Sequence, residues 1–205
     1  MKKVIIFFGL LILGTIISSF SKDEKTVTLS KKLTVEISSV PTKEESRSTN
    51  HNIPFTGNSF NGFKEAVAFK ESQGNYNIVN TLGYLGKYQF GKSTLKRFKI
   101  YNTQLFLDSP ELQEEAFIAL CSVNKWILRK DIKRSVGKTI NGIEITESGI
   151  IAAAHLAGAG NVKKYIRSNG QNQFKDAYGS SIQHYLKKFS GYDTSFIEAN
   201  KKPVI

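Results

Sequence analysis

Four consecutive residues, Asp108-Ser109-Pro110-Glu111, constrain this chain more than any other part of it. A polar cap residue, a proline at the first helical position and an acid in the first turn together open a helix. That helix is expected to run to about Lys130, with Leu112, Ala116, Leu120, Val123 and Ile127 along one side. A helix so patterned must lay that side on other elements. Trp126 lies on or beside the same side and reads as core rather than as a ligand contact. Cys121, in the same stretch, reads as a buried thiol rather than a reactive one. It is the single cysteine of the chain, which excludes an internal disulfide and any cysteine-based metal site.

Other helices follow from local punctuation. Phe60, Phe63, Val67 and Lys70-Glu71 span a first helix that begins after Ser59 and stops at Gly74. Residues 75–91, rich in Gly, Asn and Tyr, read as irregular, and a short helix covers Lys92 to Phe98. A helix from Glu147 to Ala157, capped by Thr146, is followed by Gly158-Ala159-Gly160, another helix from Asn161 to Arg167, and a last one from Ser181 to Lys188. The fold class is mainly α, leaving room for a minor sheet. A body of about 140 residues can bury roughly two-thirds of the surface its unfolded chain exposes. It can therefore fold without staples.

The first 57 residues read differently. Lys2 and Lys3 precede an unbroken apolar run from Val4 to Ile17, and Ser19 and Ser21 supply small residues where a leader is cut. Residues 1–21 are expected to be a signal peptide that exports the chain to the periplasm, the cell surface or the medium. The run is short for a membrane span, which needs about 20 apolar residues; an uncleaved anchor is the alternative, and the one route to membrane contact. Residues 22–57, rich in Lys, Ser, Thr and Glu and punctuated by Pro41 and Pro54, read as a flexible tether. Leu33-Thr34-Val35-Glu36-Ile37 alternates as an isolated strand would. The folded domain is expected over residues 58–200.

The formal charge is +12, or +10 once Lys2 and Lys3 leave with the leader. An intracellular chain of this charge would suggest nucleic acid; outside the membrane the available polyanions are peptidoglycan carboxylates, wall polymers and lipid head groups. Surplus lysines that only maintain solubility account for the charge equally well. Gly86-Lys87-Tyr88-Gln89-Phe90-Gly91-Lys92-Ser93 matches the phosphate-loop pattern letter for letter. That loop needs a buried strand before it and room for its amides to close on phosphate. The preceding segment has no β-branched run, and the loop interior holds Lys, Tyr, Gln and Phe. A nucleotide is therefore not expected.

Glu71 ends an aromatic-rich helix. A carboxyl at a helix C-terminus feels the negative end of the dipole, and desolvation by Phe69 or Phe90 would push its pKa up toward the range of a general acid. A lone glutamate at a helix end is usually a solvated surface residue. Its surroundings argue otherwise. From Ser72 to Leu107 there is no Asp or Glu, while Gly, Asn, Gln and Tyr abound. Tyr76, Tyr84, Tyr88 and Gln89 are side chains that stack on sugars and hydrogen-bond hydroxyls without charge.

Three segments in order carry a resemblance. Glu71-Ser72-Gln73-Gly74-Asn75-Tyr76 resembles the Glu-Ser-x-Gly segment of lytic transglycosylases of the lysozyme-like superfamily. Gly86-Lys87-Tyr88-Gln89-Phe90 is similar to that family's second motif, Gly-Leu-Met-Gln followed by an apolar residue. Ala154-His155-Leu156-Ala157-Gly158-Ala159-Gly160-Asn161-Val162 is similar to the third, Ala-Tyr-Asn-Ala-Gly-x-Gly-Asn-Val. Together they span about 92 of 205 residues. The resemblance implies a lysozyme-like helical domain with a substrate cleft, acting on the glycan strands of peptidoglycan without metal or other cofactor. Glu71 would be the sole acid and base, and Ser72 would bind the sugar beside the cleaved bond. Gln89 would line the cleft with Tyr76 and Tyr88. Gly158 and Asn161, in the turn from Ala154 to Val162, would form the opposite wall.

Two departures stand out. Lys87-Tyr88 replaces an apolar pair, and His155-Leu156 replaces Tyr-Asn. The family's tyrosine organises the catalytic glutamate; His155 either does so through a ring N–H or is a packed helix residue. His51 and His184 form no metal pattern with it. A hydrolytic muramidase of goose-lysozyme type shares the expected fold but needs a second carboxylate, from Asp108, Glu144 or Glu147. Asp108 and Glu147 have helix-start duties, which favours the lyase. A wall-binding module that lost activity is the non-enzymatic alternative.

Overall fold

A computed structural model describes residues 56–205. The expected leader, Pro41, Pro54, His51 and all of the expected tether but Thr56 and Gly57 lie outside the described residues. Six helices and one two-stranded ribbon are found among them, so the fold is mainly α with a minor sheet.

Helix α1 spans Phe60–Ser72, and the Ser59 hydroxyl accepts the Gly62 amide at 3.2 Å. Gln73, not Gly74, is the first left-handed residue at its end (φ 58°), with Gly74 following (φ 81°). The amides of Gln73 and Gly74 return to the carbonyls of Phe69 and Ala68, satisfying two of the last helical acceptors. Helix α2 spans Lys92–Arg97. Helix α3, Thr103–Leu107, was not legible in the pattern; Asn102 opens it by accepting the amides of Gln104 and Leu105.

Helix α4 spans Pro110–Ser135, with proline at its start and Ser109 in the cap position. It continues beyond Lys130 because Asp131, 1% exposed, is held by Arg134 and Arg167 at 2.7 and 2.9 Å, and Ile132 joins the core. Its buried face runs through Gln113, Phe117, Cys121, Asn124, Leu128 and Ile132, a helical spacing of four and three residues. Of the expected stripe, Ala116 and Val123 are buried, while Leu112, Leu120 and Ile127 at its edge are only partly buried. Trp126 is not core either: it is half-buried, with Arg129 and Lys201 4.3 and 5.2 Å from its ring. Cys121 is buried, and burial pushes its thiol pKa well up.

Strands β1 (Thr139–Ile140) and β2 (Ile143–Glu144) pair antiparallel across Asn141-Gly142, a dipeptide suited to two-residue hairpins. Helix α5 spans Glu147–Arg167 and breaks at Gly158, where φ 76° and ψ 148° admit little but glycine. The break between two helices is where the sequence places it. Helix α6 spans Ile182–Lys188, capped by Ser181. Helix α5 packs on both α4 and α6. A Cβ at Gly149 would lie 2.7 Å from the Leu186 carbonyl, so only glycine lets α6 approach α5 this closely. That approach sets where Tyr185, on α6, projects.

Candidate active site

Glu71 lies one residue before the end of α1, and its Oε1 accepts the Tyr185 hydroxyl at 2.6 Å. Oε2 takes no hydrogen bond from the described residues. Tyr185 is 2% exposed; burial, then the charge and hydrogen bond of Glu71, push its phenol pKa far up. It therefore stays protonated and remains a donor. Phe69 is largely exposed and Phe90 is buried.

Glu71 lines a cavity of about 520 Å³ with Lys70, Asn80, Leu82, Tyr84, Gln89, His155, Leu156, Phe174 and the segment Lys175 to Tyr178. The hydroxyls of Thr81 and Tyr178 meet at 2.8 Å and join its two walls. Lys70 and Glu71 also border a hollow of about 600 Å³ that reaches Lys188. In the other direction Leu82, Tyr84, Gln89, His155 and Leu156 are shared with a hollow of about 620 Å³. Shared linings make these a succession of adjoining hollows. Lys70, Lys92, Lys175 and Lys188 line them, against two acids, Glu71 and Asp176.

The expected site residues divide into two groups. Glu71, Ser72, Gln89, His155 and Gly158 line the hollows. Ser72 donates to the Lys87 carbonyl at 2.7 Å and accepts the Asn75 amide at 3.0 Å, so it pins the 75–88 loop to α1. Gln89 sits at φ 52° with its amide on the Gly86 carbonyl. His155 Nε2 donates to the Tyr88 carbonyl at 2.8 Å, and its rings neighbour Phe90 and Phe117. The glutamate is organised by Tyr185 instead. Sequence reasoning missed it because a tyrosine in an amphipathic last helix carries no local sign of a partner 114 residues away.

Tyr76, Tyr88 and Asn161 belong to the second group and line none of these hollows. Tyr88 is fully buried, stacked on Phe117 at 4.0 Å, with its hydroxyl on Glu114 at 2.8 Å. It has no surface to offer a sugar, which corrects the expectation of substrate contact. Tyr76 donates to Glu114 at 2.9 Å, and Asn161 turns back to the Ala157 carbonyl across the α5 break. The Tyr76 hydroxyl and the Asn161 side-chain N–H are thus committed within the fold.

Asp176 is the acid that the sequence did not single out. Its Oδ1 accepts the amides of Tyr178 and Ser180 at 3.0 and 2.7 Å, an aspartate-headed turn. The three acids considered for this place are elsewhere. Asp108 accepts from Gln104, Glu147 pairs with Lys125 and accepts from Thr194, and Glu144 is exposed on β2.

Four amides of the phosphate-loop lookalike bond within the protein: Gly86 on Ile78, Lys87 on Gln113, Gln89 on Gly86 and Phe90 on Leu85. Among the described residues no three of His, Cys, Asp and Glu converge as metal ligands. No family model, curated protein or solved structure matches the chain.

Proposed function

We propose that this chain is an exported lytic transglycosylase with a lysozyme-like helical domain, and that Glu71 cleaves the glycan strand of peptidoglycan. The observation that carries the reading is the Glu71 carboxylate, fixed at one oxygen by a buried tyrosine donor and lining a cavity walled by amides, aromatics and lysines. One oxygen held and one left over suits a group that must pass a proton in a set direction. The adjoining hollows suit a polymer. The lysines around them suit one whose peptides bear carboxylates.

The reaction follows from that arrangement. Glu71 gives its proton to the oxygen between MurNAc and GlcNAc, and the bond from MurNAc C1 to that oxygen breaks. The N-acetyl carbonyl of the same sugar stabilises the cation left at C1. The sugar's own 6-hydroxyl then attacks C1 and returns its proton to Glu71, which ends as it began. Intramolecular attack gains from proximity and needs no bound water. The product is a 1,6-anhydromuramyl end.

Asp176 supports a second reading, a hydrolytic muramidase. Carboxyl pairs in glycosidases stand about 5–9.5 Å apart, one of them serving water or the sugar. Asp176 lines the cavity of Glu71, and its Oδ2 takes no hydrogen bond from the described residues. Two amides committed to Oδ1 make it first a turn residue, which favours the lyase. Release of soluble fragments from purified sacculi tests both. The lyase requires release by the wild type, none by Glu71→Gln, and nearly unchanged release by Asp176→Asn. Loss of release in a folded Asp176→Asn protein would transfer the case to the hydrolase; no release by the wild type would end both.

A further inference from the structure

Beyond His155, the hollow of about 620 Å³ lies among the start of α2, the middle of α4 and the break in α5. Its lining includes Asn124, a 5% exposed residue of α4 whose Nδ2 is buried and has no hydrogen-bond partner. An unpaired buried amide is costly, because it has given up water without gaining a partner. Nδ2 is shielded as the side chain stands, so a half-turn of the Asn124 amide would bring this donor to a ligand in the hollow and relieve its missing bond. The same residue lines the next hollow, with Arg97 and Gly160.

The geometry points to a second sugar-binding position at Asn124, which takes the acetamido group of another sugar on the strand held at Glu71. This rests on the glycan reading above. A planar amide pairs with another amide, donating to its carbonyl and accepting from its N–H, and a half-turn about χ2 exchanges the two ends of Asn124. Leu120 and Leu156 offer apolar surface for the acetyl methyl. Ser93 and Thr94 offer hydroxyls to the ring hydroxyls. A side chain at Gly158 would meet nothing within 4 Å, so the space beside the α5 break is open to ligand. No acid lines this hollow, and Lys92 lies on it, which suits a neutral sugar carrying an anionic neighbour. The hollow adjoins the Glu71 cavity through Gln89, His155 and Leu156, so one strand can occupy both.

The test is binding of N-acetylglucosamine oligomers of two to six sugars to the Glu71→Gln protein, which holds substrate without cutting it. Affinity is expected to rise with length until the Asn124 position is filled. Adding Asn124→Leu, similar in volume and without the amide, is expected to cost the long oligomers about three- to tenfold and leave the dimer unchanged. Should that variant not fold, Ser93→Ala with Thr94→Val carries the same expectation. If short oligomers bind and neither variant lowers the gain with length, the Asn124 position is refuted while the glycan reading stands. Binding that does not grow with length refutes it too. If no oligomer binds, both fall together.

Discussion

Two carboxylates near the ends of different helices meet opposite fates in this molecule. Glu114, on α4, receives Lys64 at 2.6 Å, Lys87 at 2.8 Å, Tyr88 at 2.8 Å and Tyr76 at 2.9 Å. Burial alone would raise its pKa, but these four donors hold it down to about 2. Glu71 receives one donor, Tyr185, and lines a cavity. A carboxylate saturated by donors has no lone pair to lend and works as a structural anion. One held at a single oxygen keeps its chemistry. The two are joined through the 75–88 loop: Ser72, next to Glu71, holds the carbonyl of Lys87, whose ammonium reaches Glu114. Ser72 and Glu114 thus hold the same loop residue at two separate points.

Glu71→Gln is the sharpest separation of the two. It should reduce cleavage of sacculi by about 10²–10⁴-fold, leaving the melting temperature within a few degrees. Near-normal cleavage would move the acid elsewhere, with Glu65 as the upstream alternative. Glu65 is bound to Lys87 at 2.7 Å, on the side of the saturated cluster.

Glu114→Gln should do the reverse. Removing one partner of a buried charge cluster costs on the order of 3–5 kcal/mol, read as a loss in denaturant unfolding. Activity per folded molecule should largely survive. The pH dependence gives the same contrast. The Glu114 pKa falls from an ordinary 4.5 to about 2 on folding. Its stabilisation is therefore present above about pH 4.5 and is lost as the pH drops toward 2. Acid unfolding measured over that window should be flatter in Glu114→Gln than in the wild type; equal slopes would place the linkage elsewhere.

Tyr185→Phe keeps the ring and removes the donor to Glu71. A hydrogen bond to a charged group is worth about 1.5–3 kcal/mol, so kcat should fall roughly ten- to a hundredfold, with KM little changed. Tyr76→Phe removes a donor of the same kind from Glu114, which keeps three others. Its expected effect is the smallest, under about 1 kcal/mol of stability and none on kcat. Equal effects of the two tyrosines on kcat would erase the distinction between the two carboxylates.

What the sequence disclosed follows the range of the interactions involved. Ser59, Pro110, Thr146, Ser181 and the break at Gly158 act within a turn of themselves, and all are where the pattern puts them. The buried face of α4 takes in Ala116 and Val123 as the pattern places them, but it also extends over Gln113 and Asn124, which look polar in a hydropathy pattern. Gln113 is buried because its amide receives the Lys87 N–H and donates to the Phe106 and Tyr76 carbonyls, partners no periodicity reveals. Lys87 reads as a solvated charge until Glu65 and Glu114 converge on it. Glu71 lines a cavity, and its neighbours in sequence were what singled it out. Tyr185 and Asp176 reach the same cavity only after α6 has packed on α5, which depends on the absence of a side chain at Gly149.

The most direct measurement of the central claim is the mass spectrum of fragments released from purified sacculi in ¹⁸O-labelled water. Cleavage by Glu71 with attack by the sugar's own 6-hydroxyl predicts anhydro ends, lighter than reducing ends by one water and free of label. Fragments that end mainly in labelled reducing sugars would contradict it and assign the second role to a carboxylate such as Asp176.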